Sequence, residues 1–279
     1  MKTIRITALL AALLLPVASF AQTKNFNRTI EFAPGGNLRV NTDVGSLKLT
    51  AWERNQVEVV ARIIARTNDS ISAEAAQRAV ETTNIEITGG DGSPLTIKAN
   101  YDETSGEKKW GGWNQVLPRI EWEIRAPRQL NLTLDVDRSE FAEVRGFEGR
   151  HVLHSDRTEL RAEDLTGEIR LEIDRGQGSQ FKNVRGKLVI EADRTNLSFD
   201  LLQLTGDSTM QVDRGKLDMR MAGASGLSVS MNKERRSTFK SDFPFTANTF
   251  NEDKIEGTIN GGGPRLTLQT DRTQVHLRN

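Results

Sequence analysis

Asp-Arg followed by a small residue occurs six times in this chain, at Asp137, Asp156, Asp174, Asp193, Asp213 and Asp271. The copies read DRS, DRT, DRG, DRT, DRG and DRT, at intervals of 19, 18, 19, 20 and 58 residues. The last interval is close to three further periods. A period of about 20 residues constrains the fold more than composition does, because each period must be one unit that stacks on its copies.

Seven residues before the Asp stands Gly149, Gly167, Gly186 or Gly206, with Leu130 and Pro264 as exceptions. An earlier copy has Gly36 and Asp43, with Val44 in place of the Arg. Between the two turns the apolar residues alternate: Leu132, Leu134, Val136; Ile169, Leu171, Ile173; Leu188, Ile190, Ala192. Period two over six residues is a half-buried strand. This alternation buries Val136, Leu171, Ile190 and Met210 and turns His154, Glu172 and Glu191 to solvent. Four residues after the Asp come Leu47, Phe141, Leu160, Leu197, Leu217 and Val275, read as apolar plugs, with Gly178 as the exception.

Such a unit cannot cover its own apolar row, so the expectation is an all-β parallel β-solenoid of about 18–20 residues per coil. An antiparallel meander is the competing arrangement, but nothing in it requires matching chemistry at every second turn. Stacked strands place equivalent residues about 4.8 Å apart. Asp137, Arg138, Asp156, Arg157, Asp174, Arg175, Asp193, Arg194, Asp213, Arg214, Asp271 and Arg272 then form a structural turn ladder. In it each Asp accepts turn amides and each Arg lies between carboxylates. A stripe that binds anionic glycans or lipid headgroups is the functional alternative for the same residues.

Within the 58-residue gap, Leu227, Val229 and Met231 alternate before Asn232, which stands 19 residues after Asp213 as a worn copy. The stretch from Ser237 to Pro264 is irregular and is expected to pair loosely as an edge cap. Residues 54–128 break the period. They contain a strand at "QVEVVARIIAR", a helix at "SISAEAAQRAVETT" with Ser70 or Ser72 as N-cap, a strand pair at "NIEITGG" and "PLTIKANY", and a strand at "RIEWEIRAP". The expected division is 22–127 as a β-rich capping region with one helix and 128–279 as repeats with a C-terminal cap, in one continuous domain.

Lys2 and Arg5, the apolar stretch Ile6 to Val17 and the small residues before Gln22 read as a secretory signal peptide over residues 1–21. The apolar run is too short for a membrane span, and no other long one follows. There is no cysteine, so disulfides, thiolate chemistry and a lipidated cysteine are excluded. Lys+Arg and Asp+Glu both number 38; without Lys2 and Arg5 the balance is 36 against 38. That excludes the basic excess of a dedicated nucleic-acid binder.

"FAPGGNLRVNTDVGSLKLTAW", "IEWEIRAPRQLNLTLDVD" and "SDFPF…INGGGPRLTLQTDRTQVHLR" together resemble a bacterial family of unknown function, the exported β-strand-repeat proteins labelled putative adhesins. The likeness covers nearly the whole mature chain. Asp-Arg stands where such repeats more often have Ser-Gly or Asn-Gly. The resemblance implies a periplasmic or cell-surface role, an envelope partner such as a glycan or protein, and no catalytic residues.

No GxSxG elbow, P-loop or dinucleotide fingerprint is present. His151 and His154, three apart on a strand, point to opposite faces and cannot share a metal. Arg beside nearly every Asp disfavours a calcium site. No cofactor or metal is expected. The alternative class is a β-helix lyase or hydrolase acting on acidic polysaccharide, which needs a unique carboxylate or Arg cluster on one face. Outside the repeat, Lys108, Lys109, Trp110 and Trp113 form the candidate contact loop, where aromatics and cations stand on a Gly-containing segment.

Overall fold

A computed structural model describes residues 23–68, 71–90, 92–101, 107–109, 112–114, 116–176, 178–223, 226–234 and 236–279. The expected signal peptide lies outside them. The front of the chain forms β1 (Thr23–Glu31), β2 (Asn37–Thr42), β3 (Gly45–Trp52), β4 (Gln56–Ile64), α1 (Ala73–Thr82), β5 (Asn84–Gly90), β6 (Ser93–Asn100), β7 (Glu107–Lys109), β8 (Gly112–Asn114) and β9 (Arg119–Pro127). The repeats form β10 (Asn131–Asp137), β11 (Phe141–Arg145), β12 (Glu148–Asp156), β13 (Glu159–Asp174), β14 (Ser179–Asp193), β15 (Asn196–Leu204) and β16 (Ser208–Met221). The end forms β17 (Leu227–Glu234), β18 (Thr238–Ser241), β19 (Phe245–Phe250), β20 (Lys254–Ile259) and β21 (Arg265–Arg278).

The all-β class with one short helix stands, but the parallel β-solenoid does not. Nineteen strands form one mixed sheet, and β7 pairs only with β8. Copies of the repeat pair in parallel through β10, β12, β13, β14 and β16. At the front, β1 with β4, β4 with β9 and β5 with β6 are antiparallel; at the back, so are β17 with β20 and β19 with β20. A parallel neighbour needs a long return, whereas a short turn gives an antiparallel hairpin. Residues 54–128 and 237–264 lack the period and supply these antiparallel partners, while β6 and β9 also pair in parallel with β2 and β3, and β18 with β21. The tail expected to pair loosely is instead regular β18, β19 and β20.

The long gap is not three stacked periods. Asp213 pairs directly with Asp271, because β21 inserts between β16 and β17. The next position is then held by Glu234, and Asn232 pairs with Gln269. The last copy runs 14 residues through its turn and matches β16 on both sides, while β17 offers 8 residues.

Inward rows fill the core. Leu134, Leu153, Leu171, Ile190, Met210 and Leu268 are successive register partners and are fully buried. Each such side chain contributes about 1.5–3 kcal/mol through burial. Val136 is buried too, and His154, Glu172 and Glu191 face outward. Phe181 stacks on its register partner Phe199 at 4.7 Å. Phe141 departs from the expected plug: it pairs with Glu159, and Ala142 takes the inward place beside Leu160. That turn carries one extra residue, so the face flips. Phe141 instead lies under the Arg161 guanidinium, 5.4 Å from its ring centre.

Helix α1 is capped by Ser72, whose side chain accepts from the Ala75 amide. Lys24 of β1 donates to the carbonyls of Glu81 and Thr83 at the other end, where cations and the helix dipole agree. Val80 of this helix joins the main core.

A second corner holds Gly146, Asp164, Asn183 and Leu201, all with left-handed φ, at 88°, 56°, 51° and 58°. Asn183 donates to Asp164 at 2.6 Å. Leu gains nothing from that conformation, which costs about 1 kcal/mol for ordinary side chains. Leu201→Asn is expected to raise stability by up to about 1 kcal/mol, read from the midpoint of urea unfolding.

Candidate interaction surface along the Asp-Arg ladder

The turn of each repeat is set by its second residue. Arg138, Arg157, Arg175, Arg194, Arg214 and Arg272 all have left-handed φ, between 48° and 57°. The amides of Arg138, Arg157, Arg175 and Arg194 donate to the carbonyls of Asp156, Asp174, Asp193 and Asp213, at 2.9–3.1 Å. The Asp carboxylates were expected to take turn amides; the main chain of the next copy does so instead. That frees the carboxylates for the arginines.

The third residue is small because it points inward. Ser139, Thr158, Thr195 and Thr273 are buried. Thr158 Oγ1 donates to the Asp156 carbonyl at 3.0 Å and accepts from the Ser139 amide at 3.0 Å. At Gly215 a Cβ would collide with the Thr195 carbonyl oxygen.

Each Arg meets its own Asp: Arg138 at 2.7 Å, Arg157 and Arg175 at 2.8 Å, Arg194 at 2.9 Å, Arg272 at 3.0 Å and Arg214 at 3.2 Å. Four also reach back one copy, Arg157 to Asp137, Arg175 to Asp156, Arg194 to Asp174 and Arg214 to Asp193. Register partnership runs unbroken from Asp137 through Asp156, Asp174, Asp193 and Asp213 to Asp271. At Asp193 burial works upward, yet Arg214 and Arg194 hold its carboxyl below the usual range. Exposed pairs contribute little one by one, and salt screens them. Asp174→Ala should therefore cost under about 1 kcal/mol, and the difference from the parent should shrink at 1 M salt. Paired melting curves at two salt concentrations check this.

Beside the ladder runs a groove of about 860 Å³. One wall is the carboxylate row from Asp43 to Asp213. The other lies two residues earlier on each strand, with Asn41, Asp135, His154, Glu172, Glu191 and Gln211 as successive partners. His154 Nδ1 stands 2.8 Å from Asp135 and Nε2 3.4 Å from Glu172. Arg170 reaches both Glu172, at 2.7 Å, and Glu191, at 2.8 Å. Periodicity revealed the ladder residues but missed this second row, which the two-residue spacing before each Asp could have shown.

At its front the groove is closed by Lys98 and Tyr101. Burial, then the neighbouring Asp43, push the Tyr101 hydroxyl up. Burial also raises Asp43, against the pull of Tyr101. The two groups interact electrostatically, but the Tyr101 oxygen closes no hydrogen bond of good geometry.

His151 points inward and is fully buried. It lies near the Phe147 and Thr166 carbonyls, whose pull upward is smaller than the effect of burial, and its pKa falls to about 4. Neither ring nitrogen meets hydrogen-bond geometry with them, so burial governs. Of the candidate contact loop, Lys108 pairs with Trp113 and Lys109 with Gly112 across the β7–β8 hairpin. Trp110 lies outside the described residues, so the structure does not bring the two rings together or apart. Among the described residues no group of three or more metal-ligating side chains converges, and no helix is long and apolar enough to cross a membrane.

No family model matches this chain, and no curated protein does. Among solved structures it is similar to a putative cell adhesion protein from Clostridium sporogenes, with 11% identity and a TM-score of 0.32, over 92% of this chain and 99% of that one. It is similar to a putative lipid binding protein from Parabacteroides distasonis, with 9% identity and a TM-score of 0.41, over 91% and 97%. A third is a putative adhesin from Parabacteroides merdae, with 8% identity and a TM-score of 0.29, over 92% and 97%. Two of these three carry the adhesion label of the family that the sequence resembles. With every TM-score below 0.5, the likenesses carry no argument about function.

Proposed function

We propose that the protein is an exported, non-enzymatic binding protein of the bacterial envelope or surface, and that it holds an extended partner across the strands of the groove. The observation behind this reading is the groove's periodicity: the same two rows recur from strand to strand. Repeated rows suit a repeating or extended ligand better than a single reacting bond. The second row carries Asp135, Glu172 and Glu191 against Arg170, so the ligand best matched is one with basic groups. An acidic polysaccharide would meet carboxylates on both walls, which argues against the lyase or hydrolase alternative. The segment bearing Lys108, Lys109, Trp110 and Trp113 is a proposed second contact.

A hexa-arginine peptide titrated into the protein tests the reading. Binding that weakens with added salt is expected, and Glu172→Gln with Glu191→Gln should reduce it about fivefold. Preference for polygalacturonate over the peptide, or its depolymerisation, would overturn the proposal. Protease accessibility on intact cells separates periplasm from surface.

A further inference from the structure

The ladder has one position where a carboxylate is present and its arginine is not. At Asp43 the next residue is Val44, and the register brings this turn beside that of Asp137, with Thr42 paired to Val136. Every later Asp of the ladder lies within 4 Å of the guanidinium one residue on. Arg138, which the pattern would send back to Asp43, forms its ion pair with Asp137 at 2.7 Å and, among the described residues, none with Asp43. Asp43 is thus a half-buried carboxylate with no ion-pair partner among the described residues, at the front end of the groove.

We propose that Asp43 is an unfilled rung of the ladder and binds a guanidinium group carried by a ligand, such as an arginine side chain of a partner protein. This rests on the groove reading above and adds a point of recognition to it. Three features favour a guanidinium. The same carboxylate arrangement holds one at six successive copies in this chain. Its planar fork suits a carboxylate with two oxygens to offer. The Tyr101 ring lines the groove beside Asp43, able to flank a cation. Burial raises the Asp43 carboxyl, and the pulls of Tyr101 and Arg138 do not offset it.

The probe is N-acetyl-arginine methylamide, a single guanidinium too short to span the groove, titrated at low salt and followed by amide shifts around Asp43. Its citrulline counterpart, of the same shape and uncharged, is the control. The arginine probe should shift the signals of residues 42–45 and of Arg138, and the citrulline probe should not. Asp43→Asn should weaken the arginine probe about tenfold or more, while Glu53→Gln, an exposed carboxylate outside the groove, leaves it unchanged. Equal binding to parent and Asp43→Asn, or equal binding of both probes, would sink the proposal. Should hexa-arginine still respond to Glu172→Gln with Glu191→Gln in that case, the groove reading survives and only the rung fails. Val44→Arg offers an internal competitor: loss of probe binding there supports the vacancy, and undiminished binding contradicts it.

Discussion

Acidification from pH 6.5 to 5 should cost the parent protein about 2 kcal/mol of stability, and His151→Leu should remove most of that loss. His151 is buried with its pKa pushed down to about 4, against an ordinary value of 6.5. In that window the unfolded chain binds a proton that the folded chain refuses, so stability falls with pH. The loss starts near 6.5 and is complete near 4; above 6.5 it is absent. The carboxyls held low, such as Asp193, Asp242 and Glu256, begin to contribute only as pH falls through the ordinary carboxylate range. The interval from 6.5 to 5 is therefore governed by the histidine, with Asp43, raised by burial, acting in the opposite sense in parent and variant alike. Leu is the natural replacement because its register partners are Leu132 and Ile169. At pH 7 the variant should be at least as stable, since the imidazole nitrogens satisfy no good hydrogen bond. Urea unfolding at pH 7, 6 and 5 gives the comparison. A parent curve that is flat over this range would show that His151 is not desolvated as described.

Gly167→Ala should destabilise the protein by about 3 kcal/mol or more. Two effects combine at this corner. Its φ is +125°, a region that side chains rarely adopt, and a Cβ would collide with the Gly149 carbonyl oxygen. Gly149 and Gly186 are its partners on the neighbouring strands, so relaxing one copy displaces two ladders. Gly35→Ala is the control. Its φ is +78° but nothing lies within 4 Å of the added methyl, so only the conformational penalty of about 1 kcal/mol applies. Comparable losses for the two variants would mean that the corner opens readily and that close stacking is not what holds it.

Much of the repeat was legible because period and alternation are local. Gly149, Gly167 and Gly186 mark one corner, and the Asp-Arg pairs mark another. Between them Leu171 and Ile190 point inward for the reason that any alternating strand buries one face. Inward and outward sides of His151 and His154 followed from the same rule, and a serine cap, Ser70 or Ser72, followed from the place before an Ala-rich run, with the structure selecting Ser72.

Neighbour choice was not legible. The 58 residues between Asp213 and Asp271 are close to three periods, yet β21 returns to lie against β16, and β17 is pushed outward. Sequence spacing counts residues along the chain, while pairing is decided by which edge is free and which strand matches it over the greater length. The mixed sheet has the same origin: β1 with β4, β4 with β9 and β17 with β20 are antiparallel pairs between strands that do not follow one another in the chain. Phe141 shows it at the scale of one side chain, where a single extra turn residue exchanged it for Ala142. The groove and the unpaired carboxylate of Asp43 exist only once the strands are side by side. The sequence by itself determined the repeating unit and, Phe141 apart, the face that the alternating residues present, because both depend on backbone geometry within a few residues. The tertiary structure decided the order of the units and the surface between them, because those depend on contacts between residues far apart in the chain.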